Sequence, residues 1–362
     1  MREVIAQVVD SGWWLLGPRT RSFCEAFAEY VGGGECIGVA NGTDALELAL
    51  RVVAADSRFG GGSEDGELPE VVLTANAGGY STIACHLGGL LPVYVDIDAD
   101  TLLLSIDAAV AATSSRTLAV VATHLYGGLV DVPALRRALD RAGRRHVAII
   151  EDCAQAHGLR GRDGMAGSFG DLATFSFYPT KNLGAFGDGG AVLTRDADLA
   201  KAVRTLHQYG WSRKYAIDTP YGRNSRLDEI QAAVLHSLLP HLDGANAARV
   251  SILDAYADAA PAGVSVVRSP QGSVAHLAIV RTPARDALQA HMTANGVTTD
   301  IHYPILDCDQ AGLAKLPFHV APGDLPNSRA ATQEILTLPC FPTMRKDEIA
   351  KVCDALASFK AA

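Results

Sequence analysis

The stretch "FSFYPTKNLGAFGDGGAV", residues 175–192, sets one lysine, Lys181, among aromatics and glycines. No acidic residue follows it before Asp188, and the run is too apolar for an ordinary solvated face. A lysine in apolar surroundings has a lowered pKa. It becomes a nucleophile suited to imine formation with an aldehyde. The glycines also invite a nucleotide-loop reading. No G-x-x-x-x-G-K-[ST] is present, however, and no G-x-G-x-x-G joins a strand to a helix, so that reading is weak.

Upstream, "AIIEDCAQAHG" (148–158) ends an apolar strand on Glu151 and Asp152. Ligands of open α/β sheets bind beyond the carboxyl ends of strands. A carboxylate there is costly to bury unless it pairs with a cation, although an arginine or a backbone amide could equally be its partner. Further upstream, "VANGTDALELAL" (39–50) runs strand, Asn-Gly-Thr, helix. Unpaired amides and the helix dipole make Gly42, Thr43 and Asp44 a candidate phosphate cradle. An ordinary N-cap by Thr43 is the alternative. A phosphate cradle, a strand-end aspartate and an apolar lysine are together what pyridoxal phosphate (PLP) requires. The lysine holds the aldehyde as an imine, the aspartate keeps the pyridine nitrogen protonated, and the cradle anchors the phosphate.

The surrounding pattern supplies a sheet for these residues. Strands are expected at 36–40, 70–75, 91–96, 117–125 and 146–152, with helices over 44–55 and 132–143. Such alternation predicts an α/β fold with a mostly parallel sheet. From 226 to 260 helical periods dominate. A β-like stretch at 273–282 follows, then helices at 285–297 and 346–359. The change in pattern predicts a large domain over 1–245 and a smaller C-terminal α+β domain over 246–362. Residues 57–69 have the composition of a mobile surface loop.

Composition narrows the partners. The 362 residues are 48% hydrophobic and carry a formal net charge of −9, which suggests neither nucleic acid nor an anionic membrane as partner. The basic stretch Arg136, Arg137, Arg141, Arg144 and Arg145 reads as a solvated helix face. Seven cysteines without C-x-x-C spacing argue for a reducing compartment and against a zinc ribbon; no metal site is expected. No signal peptide or transmembrane run is read, so the expected location is cytoplasmic.

The chain resembles the sugar aminotransferases of the DegT/DnrJ/EryC1/StrS family. The matching motifs run in order: "SGWWLLGP", "GVANGTDALELAL", "PVYVDID", "HLYG", "EDCAQAHG", "GSFGDLATFSFYPTKNLGAFGDGGAV", "KY", "NSRLDEIQAAVL" and "IHYP". The resemblance implies PLP fold type I, aspartate aminotransferase-like. Lys181 would hold the cofactor and shuttle a proton. Asp152 would pair with the pyridine nitrogen, and Gln155 would sit near the ring hydroxyl. Gly42, Thr43 and Ser176 would hold the phosphate. Asn224 would reach the phosphate of the other subunit in a homodimer with shared active sites, unless it merely caps its own helix. His302 and Tyr303 would lie near the substrate.

Two departures stand out. Where the family carries an aromatic that stacks on the pyridine ring, "TANAGGYST" (74–82) has Gly78, and Tyr80 is the nearest candidate. Where the family often has a histidine after "HYP", Cys308 stands near that place. The implied reaction is glutamate-dependent amination of a dTDP- or UDP-linked keto sugar. The form "KNLGAFGDGG" looks more like members that aminate C3 than those that aminate C4. A PLP-dependent sugar dehydratase is a rival within the family, but dehydratases replace the lysine by histidine. A cofactor-binding regulator is a rival of another class; such proteins usually carry an added DNA-binding module.

Overall fold

The computed structural model describes residues 1–60 and 66–360. Residues 61–65, the centre of the loop expected over 57–69, lie outside the described residues. The strands in chain order are β1 (Glu35–Val39), β2 (Glu70–Thr74), β3 (Leu91–Val95), β4 (Thr117–Thr123), β5 (Ala148–Asp152), β6 (Leu172–Ser176), β7 (Gly190–Thr194), β8 (Trp211–Arg213), β9 (Ala216–Ile217), β10 (Ser265–Val266), β11 (Ala278–Arg281), β12 (His319–Val320) and β13 (Ile335–Leu338). Among the described residues, eight strands form one sheet in the order β1-β7-β6-β5-β4-β2-β3-β12. Neighbours are parallel except at β7, which runs antiparallel to β1 and β6.

A parallel sheet needs cover on both faces. β2, β3, β5 and β7 are accordingly buried along their whole length. Strand alternation divides the side chains between two cores. Val71 and Leu73 pack with Leu46, Leu50 and Val53 of the helix Gly42–Ala55. Val72 points the other way, toward Val132, Leu135 and Leu139 of the helix Val132–Arg141. Those three positions make the apolar stripe that commits this helix to the sheet. A further core joins the helix Pro18–Val31 to β6. Phe27 meets Phe175 edge-on at 4.8 Å, and Phe23 meets Phe177 at 5.3 Å.

The C-terminal region is a smaller α+β layer. β10, β11 and β13 form their own sheet. Leu288, Met292, Val352 and Leu356 from two helices pack there with Ile252 and Tyr256 of the helix Leu242–Ala259. Between β11 and β13 the chain makes an excursion to the large sheet, where β12 pairs with β3. The Asp96 carboxylate accepts the Asn327 and Ser328 amides at 2.9 and 2.8 Å.

Local details differ from the sequence expectation. The helical run 226–260 is two helices, Glu229–Leu238 and Leu242–Ala259, separated by the 3-10 turn Leu239–His241. Pro240 sits in that turn, where its missing N–H and its ring interrupt an α-helix. The strand expected over 273–282 is confined to β11. The helix Gly42–Ala55 is capped by Asn41 rather than Thr43: the Asn41 Oδ1 accepts the Asp44 amide at 2.8 Å.

Candidate active site

β1, β2, β4, β5 and β6 all end at the same edge of the sheet, where open α/β folds gather ligands. One cavity of about 1450 Å³ lies there, between that edge and segments of the C-terminal layer. Gly42, Thr43, Tyr80, Asp152, Gln155, Ser176, Lys181, His302 and Tyr303 all line it. Asn224 does not line it; its side chain is exposed and its backbone bridges Gln208.

Asp152 closes β5 opposite Thr123 of β4 and Thr174 of β6. Its carboxylate accepts the Ala154 amide at 3.1 Å and the Thr123 hydroxyl at 3.4 Å. Burial pushes its pKa up, while the Ala154 amide and the Lys181 charge pull it back. Lys181 hangs from the turn after β6, where its amide donates to the Tyr178 carbonyl at 2.8 Å. Burial pulls the Lys181 ammonium pKa down, against the Asp152 charge. His157, His276 and His302 surround this lysine, and burial holds each of them below the usual imidazole range. For His157 the value falls to about 3. These imidazoles are therefore neutral near pH 7 and add no charge to the site.

The cradle is built by close approach. A Cβ on Gly42 would stand 2.6 Å from the Ser176 Cβ, so only glycine lets the helix start meet the end of β6. The Gly42 and Thr43 amides lie in the first helical turn, where no intrahelical acceptor exists. Asp44 is drawn aside by Arg223, 3.1 Å away. The lysine, the strand-end carboxylate and the amide cradle thus fit the aldehyde, ring nitrogen and phosphate of PLP.

Other groups in or beside the cavity were not among the expected site residues. Tyr126 donates its amide to Gln155 Oε1 at 2.6 Å and its hydroxyl to the His302 carbonyl at 2.7 Å. His276 Nδ1 lies 2.8 Å from Asn182 Oδ1. Arg249 donates to the Cys340 carbonyl at 2.7 Å and ties the helix Leu242–Ala259 to the cavity wall. The "HLYG" motif contains Tyr126, and Asn182 adjoins Lys181. Arg249 sits in an ordinary helix pattern, and His276 in the bend just ahead of β11.

Lys181 and Asp152 thus share one cavity at the edge of a fold type I sheet. The model of the DegT/DnrJ/EryC1/StrS aminotransferase family matches residues 1–357, and the chain belongs to this family. It is 39% identical to the dTDP-3-amino-3,4,6-trideoxy-alpha-D-glucose transaminase of Streptomyces venezuelae, over 97% of this chain and 90% of that protein. The crystal structure of DesV from S. venezuelae superposes with a TM-score of 0.89 at 38% identity, covering 98% of this chain and 93% of that one. NtdA from Bacillus subtilis, solved with bound cofactor PMP, gives a TM-score of 0.87 at 26% identity, covering 98% and 80%. The cofactor of the family is PLP, which the residues of the site fit.

Proposed function

We propose that this protein aminates a nucleotide-linked keto sugar, with glutamate as amino donor and a dTDP-linked 3-keto-6-deoxyhexose as acceptor. The observation that carries the reading is Lys181 in one cavity with Asp152 and the Gly42–Thr43 amides. Lysine at this position favours amine transfer over the dehydratase rival. The likeness to a dTDP-3-amino-sugar transaminase along nearly the whole chain supports the choice of C3.

Bound PLP supplies the electron sink that lets an amine and a carbonyl oxygen be exchanged. The chain's residues do the rest. Asp152, oriented by Thr123 and Ala154, holds a proton on the ring nitrogen. Lys181, its proton affinity lowered by burial, moves a proton at the reacting carbon. Gly42, Thr43 and Ser176 bind the phosphate, while Gln155 meets the ring hydroxyl. His302 and Tyr303 orient the sugar side.

The working unit in this proposal is a homodimer in which Asn224 serves the neighbouring site. The segment before Asn224 exposes Tyr215, Ile217 and Tyr221, side chains that a second copy could cover. The seven cysteines are all free, consistent with action in a reducing cytoplasm. Among the described residues no helix is long and apolar enough to cross a membrane. We place the boundary between the large and small domains near residue 245.

The test is to incubate the purified protein and glutamate with dTDP- and UDP-linked 3-keto and 4-keto sugars, and to identify products by mass and NMR. Amination at C3 of a dTDP sugar is expected. Exclusive C4 amination would overturn the regiochemistry, and loss of oxygen without amine transfer would favour the dehydratase reading.

A further inference from the structure

Gly78 occupies the place where the resemblance leads one to expect an aromatic over the cofactor ring. Its φ is +81°, a conformation that side chains rarely adopt. A Cβ built on it would stand 3.0 to 3.1 Å from three carbons of the Tyr303 ring. The space beside residue 78 is thus filled by an aromatic, but one delivered from the far end of the chain. Tyr303 is also fixed from behind. Its hydroxyl accepts Gln155 Nε2 at 3.3 Å, and Gln155 Oε1 accepts the Tyr126 amide at 2.6 Å. The Tyr126 hydroxyl donates to the carbonyl of His302, the residue before Tyr303. The resulting loop of contacts sets both the backbone and the ring of Tyr303.

Tyr80 is placed differently. It opens the helix Tyr80–Leu87, is 48% exposed, and meets Tyr303 edge-on with ring centroids 6.3 Å apart. It buttresses Tyr303 from the solvent side.

The geometry points to Tyr303, not Tyr80, as the aromatic that covers the face of the cofactor ring, with Gly78 as the clearance that admits it. This rests on the cofactor reading above. Tyr303 then contacts the cofactor ring as well as facing the sugar side. A flat, neutral ring over a pyridine ring contributes through offset stacking, a modest term that depends on geometry.

The experiment compares Tyr303→Leu, Tyr303→Phe, Gly78→Ala and Tyr80→Ala with the parent. The parent is first reduced with borohydride in the presence of PLP and mapped. Absence of label on Lys181 would overturn the cofactor reading, and this inference with it. With label found there, the readouts are the PLP dissociation constant and the visible circular dichroism of the bound cofactor. Melting of the PLP-free proteins serves as folding control. Tyr303→Leu is expected to weaken PLP binding about tenfold, the upper range of an aromatic contact, and to diminish the dichroic band. Tyr303→Phe keeps the ring and should stay within about threefold of the parent with its band retained, as should Tyr80→Ala. Gly78→Ala should behave like Tyr303→Leu, because its methyl displaces the ring without altering Tyr303. If Tyr303→Leu fails to fold, the Gly78→Ala and Tyr80→Ala pair decides alone. Parental binding and dichroism in both Tyr303→Leu and Gly78→Ala, or the loss appearing in Tyr80→Ala instead, would overturn the assignment.

Discussion

His124 Nε2 lies 3.0 Å from Glu151 Oε2, and neither side chain reaches solvent. His124 Nδ1 accepts the Val130 amide at 3.1 Å, so Nε2 carries the proton and donates it to Glu151. The other Glu151 partners are also donors: the Gly167, Phe169 and Gly170 amides at 2.9, 2.7 and 2.7 Å. Burial pushes the Glu151 pKa up, but His124 and these amides outweigh it, leaving it below the usual carboxylate range. Consecutive strand residues face opposite ways. Glu151 therefore fastens the loop ahead of β6 while Asp152 faces the cavity. Glu151→Ala should cost roughly 3–5 kcal/mol in denaturant unfolding, since it strands several buried donors. Glu151→Gln should also destabilise, because its amide nitrogen must face donors at either oxygen position. Parental stability in the Gln variant would show that the network is not under this constraint.

Asp152→Asn separates holding the fold from holding a proton. An asparagine can still accept the Ala154 amide through Oδ1, and its Nδ2 can donate to the Thr123 hydroxyl, which turns from donor to acceptor, so the variant should melt near the parent and bind PLP. It cannot offer a negative charge to the protonated ring nitrogen. Turnover should fall roughly a hundredfold or more, the scale expected when a positioned proton-holding group is removed. Near-parental turnover would reduce Asp152 to a structural role.

The turn that carries Gly78 and Tyr80 depends on another buried acid. Asp307 accepts the Gly79 amide at 2.7 Å and the Thr82 hydroxyl at 2.8 Å. Burial still pushes its pKa up, from 3.8 to about 7. Across that window the folded chain keeps a proton that the unfolded chain has released. Asp307 thus makes stability fall as pH rises from about 4 to about 7, with no further contribution above that. Asp307→Asn, which stays neutral throughout, should remove this part of the slope in denaturation midpoints measured across the window. An unchanged slope would mean that Asp307 is already ionised well below pH 7.

Much of this was legible in the sequence where chemistry and periodicity coincide. β1 to β5 follow from β-branched runs, and Asp152 and Lys181 from the cost of placing charge in apolar surroundings. β6 and β7 are harder to see. They overlap the two ends of the glycine-rich stretch around Lys181, and the antiparallel β7 lacks the crossover helix that marks a parallel neighbour. Arg249 and His276 reach the cavity only through tertiary packing of segments far from Lys181 in sequence. The ring beside Gly78 is the sharpest case. Local sequence points to Tyr80, two residues away, whereas the packed chain brings in Tyr303.

The shared-site proposal makes the most demanding prediction. In its own chain Asn224 does not line the cavity, and Asp228 occupies the cap of the helix that begins at Glu229. Asn224 therefore does not cap that helix, and it stands exposed in the same segment of chain as the exposed Tyr215, Ile217 and Tyr221. If Asn224 serves the neighbour, a Lys181→Ala chain and an Asn224→Ala chain should each be nearly inactive alone. A mixed dimer would place both lesions in one site and leave the other intact. Random exchange makes half the dimers mixed, so about a quarter of parental activity per chain should return. Differently tagged chains and native mass spectrometry can verify that exchange has occurred. If mixed dimers form and activity stays absent, both residues act within one chain, and the exposed segment before Asn224 requires another explanation.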